Sequence, residues 1–137
     1  MTSSISLHKN FADSYYQIAL AFKELKQYEN ALSELNKVII LDPNYLEAYY
    51  LKGKILLEDN KCEEALNMLN SVLKKDPNHS SSYFRKGNCY EKMEKYEEAL
   101  EEYRKCQKFF PKDEQISICI GICLYKLKKN EEALEAL

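Results

Sequence analysis

No apolar run in this chain approaches the roughly 18 residues that a membrane span requires. No charge of one sign dominates either. Lys plus Arg number 20, Asp plus Glu number 22, and the net charge is -2. That balance argues against a nucleic-acid binder, which carries a clear basic excess. Histidine is scarce: His8 and His79 are the only two, and neither sits in a dense cluster of ligand types. His79 reads as a solvated residue of a turn. The start, Met1 to Phe11, lacks the charged-then-apolar pattern of a secretory signal. No phosphate loop, nucleophile elbow or metal-protease motif occurs. These absences point away from an enzyme and imply no cofactor and no metal.

Apolar residues make up 45% of the 137 residues and charged ones 31%, enough for a core and for a solvated coat. Cys62, Cys89, Cys106, Cys119 and Cys123, without a signal peptide, imply a reducing compartment, the cytoplasm or the nucleus. Cys89, Cys106 and Cys123 fall where small core residues belong, and a buried reduced Cys packs like a small hydrophobe. Cys119 and Cys123 share a helix face, but two thiols do not make a closed zinc site.

The ordering feature is a period. The three prolines are Pro43, Pro77 and Pro111; the three glycines are Gly53, Gly87 and Gly121. Each set steps by 34 residues, as do Ala31, Ala65, Ala99 and Ala133. Those alanines sit within Glu29-Asn-Ala-Leu32, Glu63-Glu-Ala-Leu66, Glu97-Glu-Ala-Leu100 and Glu131-Glu-Ala-Leu134. Between prolines lie two amphipathic helical patterns, at 46–59 and 62–75 in the second repeat, with apolar residues three and four apart. Asp42-Pro43-Asn44 and Asp76-Pro77-Asn78 end the second helix of a repeat, because proline cannot continue it. The Glu-Glu pairs at 63–64, 97–98 and 131–132 are placed at the starts of second helices, where they complement the helix dipole.

The residues resemble the tetratricopeptide-repeat family, whose pattern is a large residue, Gly, an aromatic, Ala, a large residue and Pro. Repeat two reads Tyr49, Gly53, Leu56, Ala65, Leu69, Pro77. Repeat three reads Tyr83, Gly87, Tyr90, Ala99, Tyr103, Pro111. Repeat one reads Tyr15, Ala19, Phe22, Ala31, Leu35, Pro43. Repeat four reads Ser117, Gly121, Leu124, Ala133, Leu137. The chain departs from the pattern twice. The usual Gly between paired helices is missing, with Lys26, Asn60, Glu94 and Lys128 near that turn, and Lys52 and Lys86 stand where Leu is expected. The resemblance implies an all-α, right-handed superhelical solenoid of antiparallel helix pairs, about three and a half repeats. The divisions expected are 1–11 as an N-terminal segment, then 12–45, 46–79, 80–113 and an incomplete 114–137.

The resemblance also implies a protein-binding scaffold or adaptor, with a concave groove lined by the first helix of each repeat. Its facing positions are Tyr16, Tyr50, Phe84 and Ile118, with Leu20, Lys54, Asn88 and Ile122 one turn later. Leu51, Leu57 and Arg85 lie nearby. The expected ligand is a protein or peptide segment, apolar with some acidic residues, because Lys54 and Arg85 punctuate an aromatic and aliphatic stripe. Tyr16, Tyr50 and Phe84 also have a purely structural reading, packed on their neighbours. A co-chaperone docking module is the alternative. The two-carboxylate clamp it needs is matched only by Arg85 among Tyr16, Leu20, Leu51, Ser81 and Arg85, and by none of the set one repeat on. A regulatory region of a larger enzyme is the other alternative. Repeat four stops inside its second helix, which leaves Ile118, Ile122, Leu127, Leu134 and Leu137 without cover. Continuation of the chain, or self-association through that end, would supply it.

Overall fold

The computed structural model describes residues 2–136, with side-chain surroundings for 10–131, 134 and 135. The side chains of His8, Glu132, Ala133 and Leu137 lie outside these. Seven α-helices follow one another: α1 (Thr2–Glu24), α2 (Tyr28–Leu41), α3 (Leu46–Glu58), α4 (Cys62–Lys75), α5 (Ser80–Lys92), α6 (Tyr96–Phe109) and α7 (Glu114–Ala136). No helix among the described residues is long and apolar enough to cross a membrane. Two compact units are present, Met1–Val72 and Leu73–Leu137, with the boundary inside α4.

The ends of the helices follow from local chemistry. Asp42 Oδ1 accepts from the Asn44 amide at 3.1 Å, and Asp76 Oδ1 from the Asn78 amide at 3.2 Å, so each Asp-Pro-Asn turn closes on its own carboxylate. Asp113 starts α7 by accepting from the amides of Gln115 and Ile116, at 2.9 and 3.2 Å. Inside the repeats, α1, α3 and α5 end on left-handed residues: Lys26 at φ 60°, Asn60 at φ 63° and Glu94 at φ 60°. The amides of Gln27, Lys61 and Lys95 then reach back to the carbonyls of Phe22, Leu56 and Tyr90 at 2.8–2.9 Å. This is the bond pattern that glycine usually supports, made here by residues that carry a Cβ.

In the first unit Ala12, Ala19, Ala31, Leu35, Val38, Ala48, Leu51 and Ile55 form one buried cluster. The small alanines let α1, α2 and α3 approach closely. In the second unit Ala99, Tyr103 and Cys123 form the centre, with Phe84, Tyr90, Tyr96, Leu100, Cys119 and Ile120 packed on it. Cys89, Cys106 and Cys123 are buried, as expected of small core residues. The repeat glycines show why the period matters. A Cβ at Gly53 would meet Leu69 at 3.1 Å, and one at Gly87 would meet the Tyr103 ring at 2.5 Å.

Three expectations need correction. Residues 2–11 are not a separate segment, because α1 runs unbroken from Thr2. The fourth repeat is not a helix pair, because α7 is one helix of 23 residues through Lys128. Glu131 therefore lies in the C-terminal part of α7 and not at a helix start, whereas Glu63, Glu64, Glu97 and Glu98 stand in the first turns of α4 and α6 as expected.

Candidate functional site

The face expected to bind is described unit by unit. In the first unit α1 carries Tyr16 and Leu20 and α3 carries Tyr50 and Lys54, all of them half-buried. The Tyr16 ring packs on Tyr45 at 5.3 Å with a 37° tilt, and the Tyr45 hydroxyl donates to Asp13 Oδ1 at 2.7 Å. Burial raises the Tyr45 phenol, and the Asp13 carboxylate adds to the rise. Burial also raises Tyr16, with smaller contributions from Glu47 and Tyr50. Lys54 Nζ stands 5.7 Å from the Tyr50 ring centroid, near enough for the cation to sense the ring face.

In the second unit α5 carries Phe84, Arg85 and Asn88, again half-buried, and α7 carries Ile118 and Ile122, both exposed. The Arg85 guanidinium lies 5.6 Å from the Phe84 centroid. Phe84 in turn packs on Tyr103 at 5.6 Å and 55°. Below this lies a polar floor that the sequence did not reveal as a unit. Tyr103 is fully buried and its hydroxyl donates to Asn88 Oδ1 at 2.7 Å, with Glu91 Oε1 at 3.5 Å. The Cys123 thiol reaches the same Glu91 oxygen at 3.7 Å. Burial first, and the Glu91 carboxylate second, push the Cys123 thiol up to about 12 and raise Cys119. Both thiols thus stay protonated at neutral pH, which disfavours them as nucleophiles. Among the described residues no group of three or more His, Cys, Asp or Glu could hold a metal.

Two sequence assignments fail. Leu51 and Leu57 are 3% and 5% exposed, so neither lines an accessible face. Leu51 is turned by about 100° around α3 from Tyr50, into the cluster shared with α1 and α2. Tyr16 and Phe84 are part of the packing as well as of the face, which matches their structural reading. Tyr103, Asn88 and Glu91 form the cluster that sequence reasoning missed. Its only sequence signal is a tyrosine at the large-residue position of α6, which places a hydroxyl inside the pair. An apolar hollow of about 280 Å³ lies in the first unit, lined by Phe11, Tyr15, Lys37, Ile40 and Leu41.

The departures from the repeat pattern have partners. Lys52 donates to Asn36 Oδ1 at 3.1 Å. Lys86 lies 3.4 Å from Glu102 Oε1, and both side chains are almost covered. Lys105 approaches the same carboxylate oxygen at 3.3 Å.

Comparison with known proteins fits this geometry. Residues 23–86 match the family described as tetratricopeptide repeat, and residues 70–137 match the one described as anaphase-promoting complex, cyclosome, subunit 3. The chain is similar to the solved structure of MamA (41-end) from Desulfovibrio magneticus RS-1. The two are 28% identical over 93% of this chain and 72% of that one, with a TM-score of 0.81. The first TPR domain of the human RPAP3 protein is 16% identical over 90% of this chain and 98% of its own, with a TM-score of 0.83. The first TPR of Spaghetti (RPAP3), solved with a bound HSP90 peptide, is 16% identical over 88% and 95%, with a TM-score of 0.82. At such identity the last two likenesses concern the fold alone. A comparison with curated proteins finds no match. The 34-residue step, the helix pairs closed on left-handed turns and the glycine-to-bulky-residue contacts agree with these likenesses. The chain has the fold of the tetratricopeptide-repeat family.

Proposed function

We propose that this chain holds an extended or helical segment of a partner protein along the first helices of its repeats. The observation that carries this reading is a recurrent pairing. Lys54 stands by the Tyr50 ring and Arg85 by the Phe84 ring, one repeat apart in sequence, each within 6 Å. A half-buried ring gives apolar area at low entropic cost, and the cation beside it selects an acidic neighbour in the ligand. Asn88 adds polar capacity. Its Oδ1 accepts from Tyr103, and its amide N–H groups are the donors it can offer to a ligand carbonyl. The preferred segment is therefore apolar with interspersed Asp or Glu. The five free cysteines fit a reducing compartment, the cytoplasm or the nucleus.

The test uses a peptide selected by display on the intact chain, with affinity read by fluorescence anisotropy. Lys54→Glu combined with Arg85→Glu is expected to weaken binding about tenfold or more, a loss of roughly 1.4 kcal/mol. Wild-type affinity should fall with added salt, since exposed charges are screened beyond about 8 Å at physiological ionic strength. Unchanged affinity in the double variant, or affinity indifferent to salt, contradicts the reading.

A further inference from the structure

We infer that two copies of this chain associate through α7, antiparallel and two-fold symmetric, with the axis passing between Gly121 and Ile122. One face of α7 packs on α6 through buried Cys123 and the partly buried Cys119 and Ile120. The other carries Glu114, Ile118, Gly121, Ile122, Tyr125 and Lys129, a stripe at helical spacing. Ile118, Ile122 and Tyr125 are 60%, 43% and 57% exposed. Gly121 is a notch: among the described residues a Cβ placed there meets nothing within 4 Å, whereas Gly53 and Gly87 receive Leu69 and Tyr103. A bulky apolar side chain is what this fold seats against a repeat glycine.

The occupant follows from the symmetry of the stripe itself. When a second α7 is laid antiparallel about that centre, its Ile122 enters the notch at Gly121. Its Tyr125 meets Ile118, and its Lys129 meets Glu114. Each contact occurs twice, as an isologous interface requires. Acid and base stand at equal distances on either side of the centre, so the same alignment that seats the apolar residues pairs both charges. A parallel alignment would oppose like charges at both ends. An unrelated partner helix has no reason to match a spacing that α7 already satisfies against itself. Lys129 also lies 5.6 Å from the Tyr125 centroid of its own helix, which holds the cation over the stripe.

Sedimentation equilibrium of the chain alone, without any peptide, tests this separately from partner binding. A reversible monomer–dimer equilibrium is expected between micromolar and near-millimolar concentration. Gly121→Leu fills the notch, where a Cβ meets no atom of the described residues within 4 Å, and should weaken the dimer about tenfold while circular dichroism stays helical. Ile122→Asp should weaken it at least as much. Lys129→Glu and Glu114→Lys should each weaken it about threefold. An equimolar mixture of these two charge variants should regain wild-type affinity as a heterodimer. A chain that sediments as a monomer throughout overturns the inference. So does a dimer indifferent to Gly121→Leu, or a charge-variant mixture that associates no better than its components.

Discussion

Lys86→Leu, a change toward the residue that the repeat pattern prefers, is expected to destabilise the chain by about 3 kcal/mol. Lys86 Nζ lies 3.4 Å from Glu102 Oε1, and the two side chains are 12% and 7% exposed. Glu102 Oε2 is buried without a hydrogen-bond partner, so the carboxylate already depends on its cations. With Lys86 removed, only the half-exposed Lys105 remains beside it. A buried carboxylate left with a single half-exposed cation loses more in desolvation than the leucine gains in burial. The double change Lys86→Leu with Glu102→Met removes both charges and fills the space with apolar volume. It should recover wild-type stability or exceed it by about 1 kcal/mol or more, since well-packed apolar replacements of buried pairs are commonly neutral or stabilising. Urea denaturation of the four members of this cycle measures the coupling. A rise in midpoint for Lys86→Leu alone would mean that Glu102 does not depend on Lys86.

The glycines supply the second large effect, and its value lies in the order. Gly87→Ala is expected to destabilise by about 2 kcal/mol, as overpacking of a well-filled core does. The new Cβ would lie 2.5, 2.7 and 2.8 Å from three atoms of the Tyr103 ring. That ring is fully buried, packed on Phe84 and tied by its hydroxyl to Asn88, so it cannot retreat. At Gly53 the nearest atoms are in Leu69 at 3.1 Å, and the leucine can yield by a few tenths of an ångström. Alanine there should be close to neutral. At Gly121 nothing obstructs, and alanine should add about 1 kcal/mol through helix propensity alone. Thermal and chemical denaturation should therefore rank the variants Gly121→Ala, Gly53→Ala, Gly87→Ala from most to least stable. Equal effects at the three positions would mean that the repeat glycines do not serve helix approach in the way the distances indicate.

Much of the architecture was legible because the period is carried by residues with few alternative uses. A proline ends a helix and a mid-helix glycine marks a close approach, so Pro43, Pro77, Gly53 and Gly87 located helices to within a residue or two. The thiols at Cys89, Cys106 and Cys123 were recognisable as core by phase. Less was legible where a residue's role depends on what lies opposite it. Leu51 and Leu57 stand beside groove positions in sequence, yet helix rotation turns them inward, and only the neighbouring helices decide that. Lys86 looked like a flaw in the pattern until Glu102 appeared against it. Lys128 stands in register with Lys26, Asn60 and Glu94, yet α7 runs on through it, because a position in the period does not by itself impose a left-handed turn. The aromatic row was readable as a row. Its division between packing and recognition was not, because Tyr16 and Phe84 use Tyr45 and Tyr103 as partners, and neither contact is encoded at a fixed offset from the row.

The central claim is that the first helices of the repeats carry the partner. The most direct test is an NMR titration of the isotopically labelled chain with the display-selected peptide, read at assigned backbone amides. The largest shift changes are expected at Tyr16, Leu20, Tyr50 and Lys54 in the first unit and at Phe84, Arg85 and Asn88 in the second. Changes concentrated instead on α6 around Leu100, Glu101, Arg104 and Lys108, with the first-helix amides unmoved, would contradict it.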